Sequence, residues 1–123
     1  MIKNQPIIGV NDVEKSAEWY QKVLDCKSGH GGSTFDMLTD NNDAIFLCLH
    51  KWGEHEHPTL SSPKVEPGNG LILYLTVEDL NHTWKNVTAL GLALEEPLHL
   101  NPNSGKNQFC LRDLDGYYLM ITE

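Results

Sequence analysis

The sequence predicts an α+β fold made of two tandem βαβββ modules, and three observations carry the prediction. Short strand-like runs surround two amphipathic helical stripes. The order of elements in the second half repeats that of the first. Turn motifs then fall at matching places in both halves.

Residues 5–11 read as the first strand, apolar and ending in a polar turn. Asp12 is a good N-cap, because its carboxylate accepts from the free N–H groups that open a helix, and Glu14 suits the positive end of the helix dipole. Val13, Ala17, Tyr20 and Leu24 lie on one face of a helix ending near Asp25. The GHGG stretch at 29–32 breaks structure. Residues 34–39 and 43–50 then read as two strands joined by the DNND turn at 40–43. In the second half residues 71–77 form a strand and Asp79 caps a helix whose stripe is Leu80, Trp84, Val87 and Leu90, stopped by Gly91. Strands at 95–100 and 107–112, the DLDG turn at 113–116 and a last strand at 117–122 complete the plan.

Aligned on each other, Val10-Asn11-Asp12-Val13 matches Val77-Glu78-Asp79-Leu80, and the run from Asp43 to Leu49 matches that from Asp115 to Ile121. The offset drifts by a few residues, as loop insertions in a duplicated module would make it; chance similarity of two βα units is the alternative. Module 1 covers about residues 1–50 and module 2 about 70–123 of one domain. Between them the polar stretch 51–69, with Pro58, Pro63 and Pro67, reads as a linker or a lid.

Alternation along the strands separates two faces. Ile8, Val10, Ile45, Leu47, Leu49, Leu73, Leu75, Val77, Leu119 and Ile121 are all aliphatic and should pack under the helices. The opposite face collects Gln5, Ile7, Gly9, Phe46, Cys48, His50, Ile72, Tyr74, Thr76, Tyr118, Met120 and Thr122. That mixture lines a small-molecule pocket or, alternatively, an inter-sheet core of bulky side chains. No Arg or Lys is among these positions.

The formal net charge is −8, with 9 Lys+Arg against 17 Asp+Glu, which argues against nucleic acid and membrane as partners. Three cysteines, Cys26, Cys48 and Cys110, without CxxC spacing and without a secretory leader read as reduced thiols of a cytoplasmic protein.

Val10-Asn11-Asp12-Val13-Glu14-Lys15-Ser16-Ala17-Glu18-Trp19-Tyr20 with Val23-Leu24, and Arg112-Asp113-Leu114-Asp115-Gly116-Tyr117, resemble the opening and closing motifs of the vicinal-oxygen-chelate superfamily of glyoxalases, bleomycin-resistance proteins and dioxygenases. Leu114 stands where that turn usually has proline. The resemblance implies curved mixed sheets around a cleft, and homodimerisation. It does not imply one activity, since the fold hosts enzymes and metal-free binding proteins. In metal-dependent members four strand positions hold a divalent ion, and these fall on Gln5, Cys48, Ile72 and Met120. Hard divalent ions want oxygen and imidazole donors, so no metal and no cofactor are expected there.

The densest chemical cluster, His50, Glu54, His55, Glu56 and His57, reads as a polar lid or as a relocated zinc or nickel site. Cys48 is an inert buried thiol or a nucleophile served by His50. Tyr74 and Tyr118 either orient a ligand or simply pack. Gln5 is expected deep in the pocket, where it needs a partner. The leading function is a metal-free small-molecule-binding protein with Gln5, Ile7, Phe46, Cys48, His50, Ile72, Tyr74, Tyr118 and Met120 at the ligand. The alternative is a superfamily enzyme (lyase, dioxygenase or thiol transferase) with a relocated metal.

Overall fold

The structure is a computed structural model that describes residues 3–54, 58–60, 68 and 71–123. The chain divides into two units, Met1–Pro67 and Gly68–Glu123. The first contains β1 (Ile7–Val10), α1 (Val13–Leu24), β2 (Lys27–Ser28), β3 (Phe35–Thr39) and β4 (Ile45–Lys51), followed by a short 3-10 turn at Pro58–Leu60. The second contains β5 (Ile72–Thr76), α2 (Leu80–Ala89), β6 (Glu96–Asn101), β7 (Lys106–Arg112) and β8 (Tyr118–Thr122). Each unit is therefore βαβββ. The strand that sequence reading does not locate in the first module is the two-residue β2, too short to show a period.

Strand order is β1-β4-β3-β2 in the first sheet and β5-β8-β7-β6 in the second. In both, the first strand runs parallel to the last and the remaining pairs are antiparallel. The duplication extends to register: Ile7 pairs with Cys48 as Tyr74 pairs with Met120, and Gly9 with His50 as Thr76 with Thr122.

Both helices begin where the aspartates place them. The Asp12 carboxylate accepts from the Lys15 N–H at 3.0 Å, and Asp79 accepts from that of His82 at 3.0 Å. Asp25 ends α1 in the left-handed region (φ 55°), and Gly91 comes just after α2 with φ 65°. Val13, Ala17, Tyr20 and Val23 of α1 are buried, in the same unit as the buried Ile8, Val10, Leu38, Leu47 and Leu49. In the second unit Leu73, Phe109, Leu111, Leu119 and Ile121 are buried with Leu80 and Val87 of α2, and the Trp84 ring meets Phe109 edge-on at 5.1 Å. Burial of this kind is worth about 1.5–3 kcal/mol per large aliphatic side chain.

Two expectations need correction here. Leu90 is exposed, because α2 stops at Ala89 and the apolar stripe ends a turn early. Ile45, Leu75 and Val77 are half-buried, since each sits at or beyond a strand end or on an edge strand.

The GHGG stretch is folded onto a buried carboxylate. Asp36, in β3, accepts from the Ser28 hydroxyl and from the backbone N–H groups of His30 (3.1 Å), Gly31 (2.8 Å) and Met37 (2.8 Å). Burial alone would raise its pKa. The Ser28 hydroxyl and the three N–H groups outweigh burial and hold it below the ordinary carboxylate value.

Candidate functional site

Each sheet has one face covered by its helix and an opposite, open face, exposed at Ile7, Ile72 and Tyr74 but buried at Cys48, His50, Gln108, Cys110 and Thr122; that of the second sheet carries the richer chemistry. Pairing lays it out in rows: Ile72, Tyr118 and Arg112; then Tyr74, Met120, Cys110 and Glu96; then Thr76, Thr122, Gln108 and His99. Phe109 and Leu111 point the other way, into the helix-covered core. Glu96 and His99 share a face although three positions apart, because β6 bulges between them: Glu96 pairs with Cys110 and His99 with Gln108. Pro97 lies inside that bulge, where a missing N–H costs no ladder bond.

In the middle row a thiol meets a carboxylate. The Cys110 thiol donates weakly to Glu96 Oε2 at 3.8 Å. Interaction with the Cys110 thiol, with burial behind it, pushes Tyr118, in the adjoining row, up to about 12. Burial raises the Cys110 thiol as well, so both groups are held protonated. His99 donates from Nδ1 to the Pro97 carbonyl at 2.7 Å, which leaves Nε2 facing Glu96 at 3.5 Å.

Arg112, outside the positions read as facing inward, adds a cation to this face. It shares a row with Tyr118, and its guanidinium lies 5.2 Å over that ring. Its charge is already engaged, with Nε on Glu95 Oε1 at 2.8 Å and Nη1 on the Gly116 carbonyl at 2.8 Å.

The first sheet's open face carries Ile7, Cys48 and Met37 in one row and Gly9, His50 and Phe35 in the next. Trp52 lies over Gly9 so closely that an added Cβ would sit 2.6 Å from the indole Cε3. Only glycine permits that approach. His50 is buried, with Nδ1 donating to the Lys51 carbonyl at 2.9 Å and its ring 6.3 Å from that of Phe35. Cys48 is raised by burial and then by Asp36, which suits an inert thiol and not a nucleophile.

Of the residues expected at the ligand, Ile72, Tyr74, Tyr118 and Met120 come together on the second open face. Ile7, Cys48 and His50 lie on the first, and half-buried Phe46 shares their parity. Gln5 departs from expectation: it precedes β1 and is exposed, so no buried amide there demands a partner. His55 and His57 lie outside the described residues. Sequence reading missed Glu96, His99, Gln108, Cys110 and Arg112 as facing residues. The alternation of Gln108, Cys110 and Arg112 against Phe109 and Leu111 was a usable signal for three of them.

The four strand positions that could hold a divalent ion offer an exposed amide (Gln5), a protonated thiol (Cys48), a hydrocarbon (Ile72) and a thioether (Met120). That donor set does not fit a hard cation. Among the described residues no group of three or more His, Cys, Asp or Glu is placed to hold a metal.

Residues 4–121 match the family model described as Glyoxalase/Bleomycin resistance protein/Dioxygenase superfamily. The chain belongs to this superfamily. Solved structures similar to this superfamily member include TioX from Micromonospora sp. ML1, 19% identical with a TM-score of 0.75, covering 97% of this chain and 95% of that one. A lactoylglutathione lyase from Agrobacterium tumefaciens is 16% identical with a TM-score of 0.73, over 99% and 92% of the two chains. A superfamily protein from Sphaerobacter thermophilus DSM 20745 is 18% identical with a TM-score of 0.74, over 100% and 97%. At such identities these likenesses establish the shared fold and leave the chemistry to the residues themselves. No curated protein matches the sequence. No helix among the described residues is long and apolar enough to cross a membrane.

Proposed function

We propose that this superfamily member is a small-molecule-binding protein that takes flat, largely apolar organic ligands without a divalent metal, acting as a cytoplasmic homodimer. One observation carries the reading. Large apolar side chains stand exposed on the sheet faces that the helices leave open: Ile7 at 53%, Ile72 at 56% and Tyr74 at 52%. Scattered apolar residues on a surface need no explanation, but Ile72 and Tyr74 are consecutive on one face of β5, beside Tyr118 and Met120. The donor chemistry at the four strand positions supports the metal-free part of the reading.

The test is a thermal-shift screen of neutral aromatic and heterocyclic compounds against small anions, with metal analysis of protein purified without a tag. Stabilising hits are expected among the aromatic compounds and are expected to vanish in Tyr74→Ala, with well under one equivalent of zinc, nickel, iron or manganese bound. Hits confined to anions and indifferent to Tyr74 would overturn the ligand class. Stoichiometric metal that survives dialysis and is lost in His55→Ala/His57→Ala would replace this reading with that of an enzyme.

A further inference from the structure

We infer that Gln108 is a specificity-determining hydrogen-bond donor on the open face of the second sheet, selecting uncharged ligands that carry a carbonyl or equivalent acceptor. The inference rests on the reading of that face as a ligand surface and adds which polar group the ligand must bring.

The orientation of the Gln108 amide is set by its neighbours. The Asn103 backbone N–H can only donate, so the Asn101 side-chain atom it meets at 2.9 Å is the oxygen. Asn101 therefore turns its Nδ2 to Gln108 and donates at 2.9 Å, which fixes the Gln108 atom in that bond as Oε1. Both N–H bonds of Gln108 Nε2 are left over, and no described residue accepts from them. The side chain is only 3% exposed, yet among the described residues the one sealed side-chain polar atom without a partner is Ser16 Oγ. The Gln108 amide nitrogen is thus held by a buried stem with its donors reaching solvent.

The surroundings sort the acceptors. Thr122, beside Gln108 in its row, spends its hydroxyl on the Asn107 carbonyl at 3.1 Å, and His99 spends Nδ1–H on Pro97. Each keeps an acceptor atom, the Thr122 hydroxyl oxygen and His99 Nε2, but neither is hydrogen-bonded to the Gln108 amide nitrogen. In the neighbouring row Tyr74 and Met120 offer a flat apolar bed, and Glu96 stands at its end. With Glu96 near and Arg112 already neutralised by Glu95, a carboxylate ligand is repelled while a neutral carbonyl is not. A ligand covering this face without an acceptor would strand the amide away from water, and that penalty turns a hydrogen bond into selectivity.

Calorimetric titration of the full chain with 1-indanone and with indane, which lacks the carbonyl, tests the assignment. The wild-type protein should bind 1-indanone about three- to tenfold more tightly, the worth of one neutral hydrogen bond. Gln108→Met, close in shape but without the donor, should erase the difference, with indane gaining affinity because no donor is stranded beneath it. Asn101→Ala, which lets the amide turn either end outward, should shrink the difference and serves if Gln108→Met does not fold. An undiminished preference in a folded variant overturns the inference. Equal wild-type affinity for the two compounds overturns the donor role and leaves the ligand surface standing. Binding of neither removes the ligand surface itself and the donor role with it.

Discussion

On the faces their helices leave bare, the two sheets set different chemistry on one register. Where the first sheet pairs Met37 with Cys48 and Phe35 with His50, the second pairs Cys110 with Met120 and Gln108 with Thr122. Beneath, the helix-covered sides of the paired strands differ in polarity at Asp36 and Phe109. Asp36 pairs with Leu49 as Phe109 pairs with Ile121, so a carboxylate wrapped in N–H groups occupies in one module the place of an aromatic ring in the other. A duplicated scaffold keeps its hydrogen-bond ladder because the ladder is backbone. Its side chains are free to diverge wherever the backbone pairing does not depend on them.

The largest expected effect tests the likeness of the cores. Leu47→Ala and Leu119→Ala, at matched and fully buried positions, should each cost about 3–5 kcal/mol in urea unfolding through lost burial and a residual cavity. A loss below about 1 kcal/mol at either position would mean that the two cores are not equivalent.

The next sharpens that difference in polarity. Asp36→Ala should cost about 3 kcal/mol at pH 7, since it strands three backbone donors and the Ser28 hydroxyl. The folded pKa of Asp36 lies below its unfolded value, so its contribution is complete above the ordinary carboxylate range and is lost as pH falls through the folded value. The gap between wild type and variant, measured by urea unfolding across pH, should therefore close below about pH 4. A gap that stays constant with pH would show that the carboxylate charge is not what holds the loop.

The smallest effect concerns the open faces. Gly9→Ala should cost about 1–3 kcal/mol and shift the tryptophan fluorescence, because the methyl group meets the Trp52 ring. Its register counterpart Thr76→Ala, at an exposed site, should change stability by less than about 0.5 kcal/mol. Equal small effects would mean that Trp52 does not lie over β1 in solution.

Helix starts, turns and the helix-side core were legible because each depends on neighbours in sequence: Asp12 and Asp79 cap the helices directly after them, and Ile8 and Val10 alternate within one strand. The open face was half legible. Alternation in β1, β4, β5 and β8 placed Cys48, Tyr74 and Met120, while the same alternation at Gln108, Cys110 and Arg112 went unused. Glu96 and His99 were beyond reach of any period, since the bulge that sets them side by side exists only against β7. Asp36 looked like an ordinary strand polar residue. Its burial depends on a loop folding back from Ser28 to Gly31, which no local pattern announces.

The order of strands has a consequence for how the chain assembles. Each module's first strand pairs only with its last: Ile7 waits for Cys48 and Ile72 for Tyr118, partners roughly forty or more residues later in the chain. Closing such a loop costs entropy before any ladder bond repays it, whereas the β3–β4 and β7–β8 neighbours meet across short turns. The hairpins should therefore form early, with β1 and β5 docking last. On unfolding, those same edge strands are the natural first to leave, so amide exchange should be fastest along β1 and β5 and slowest in β4 and β8.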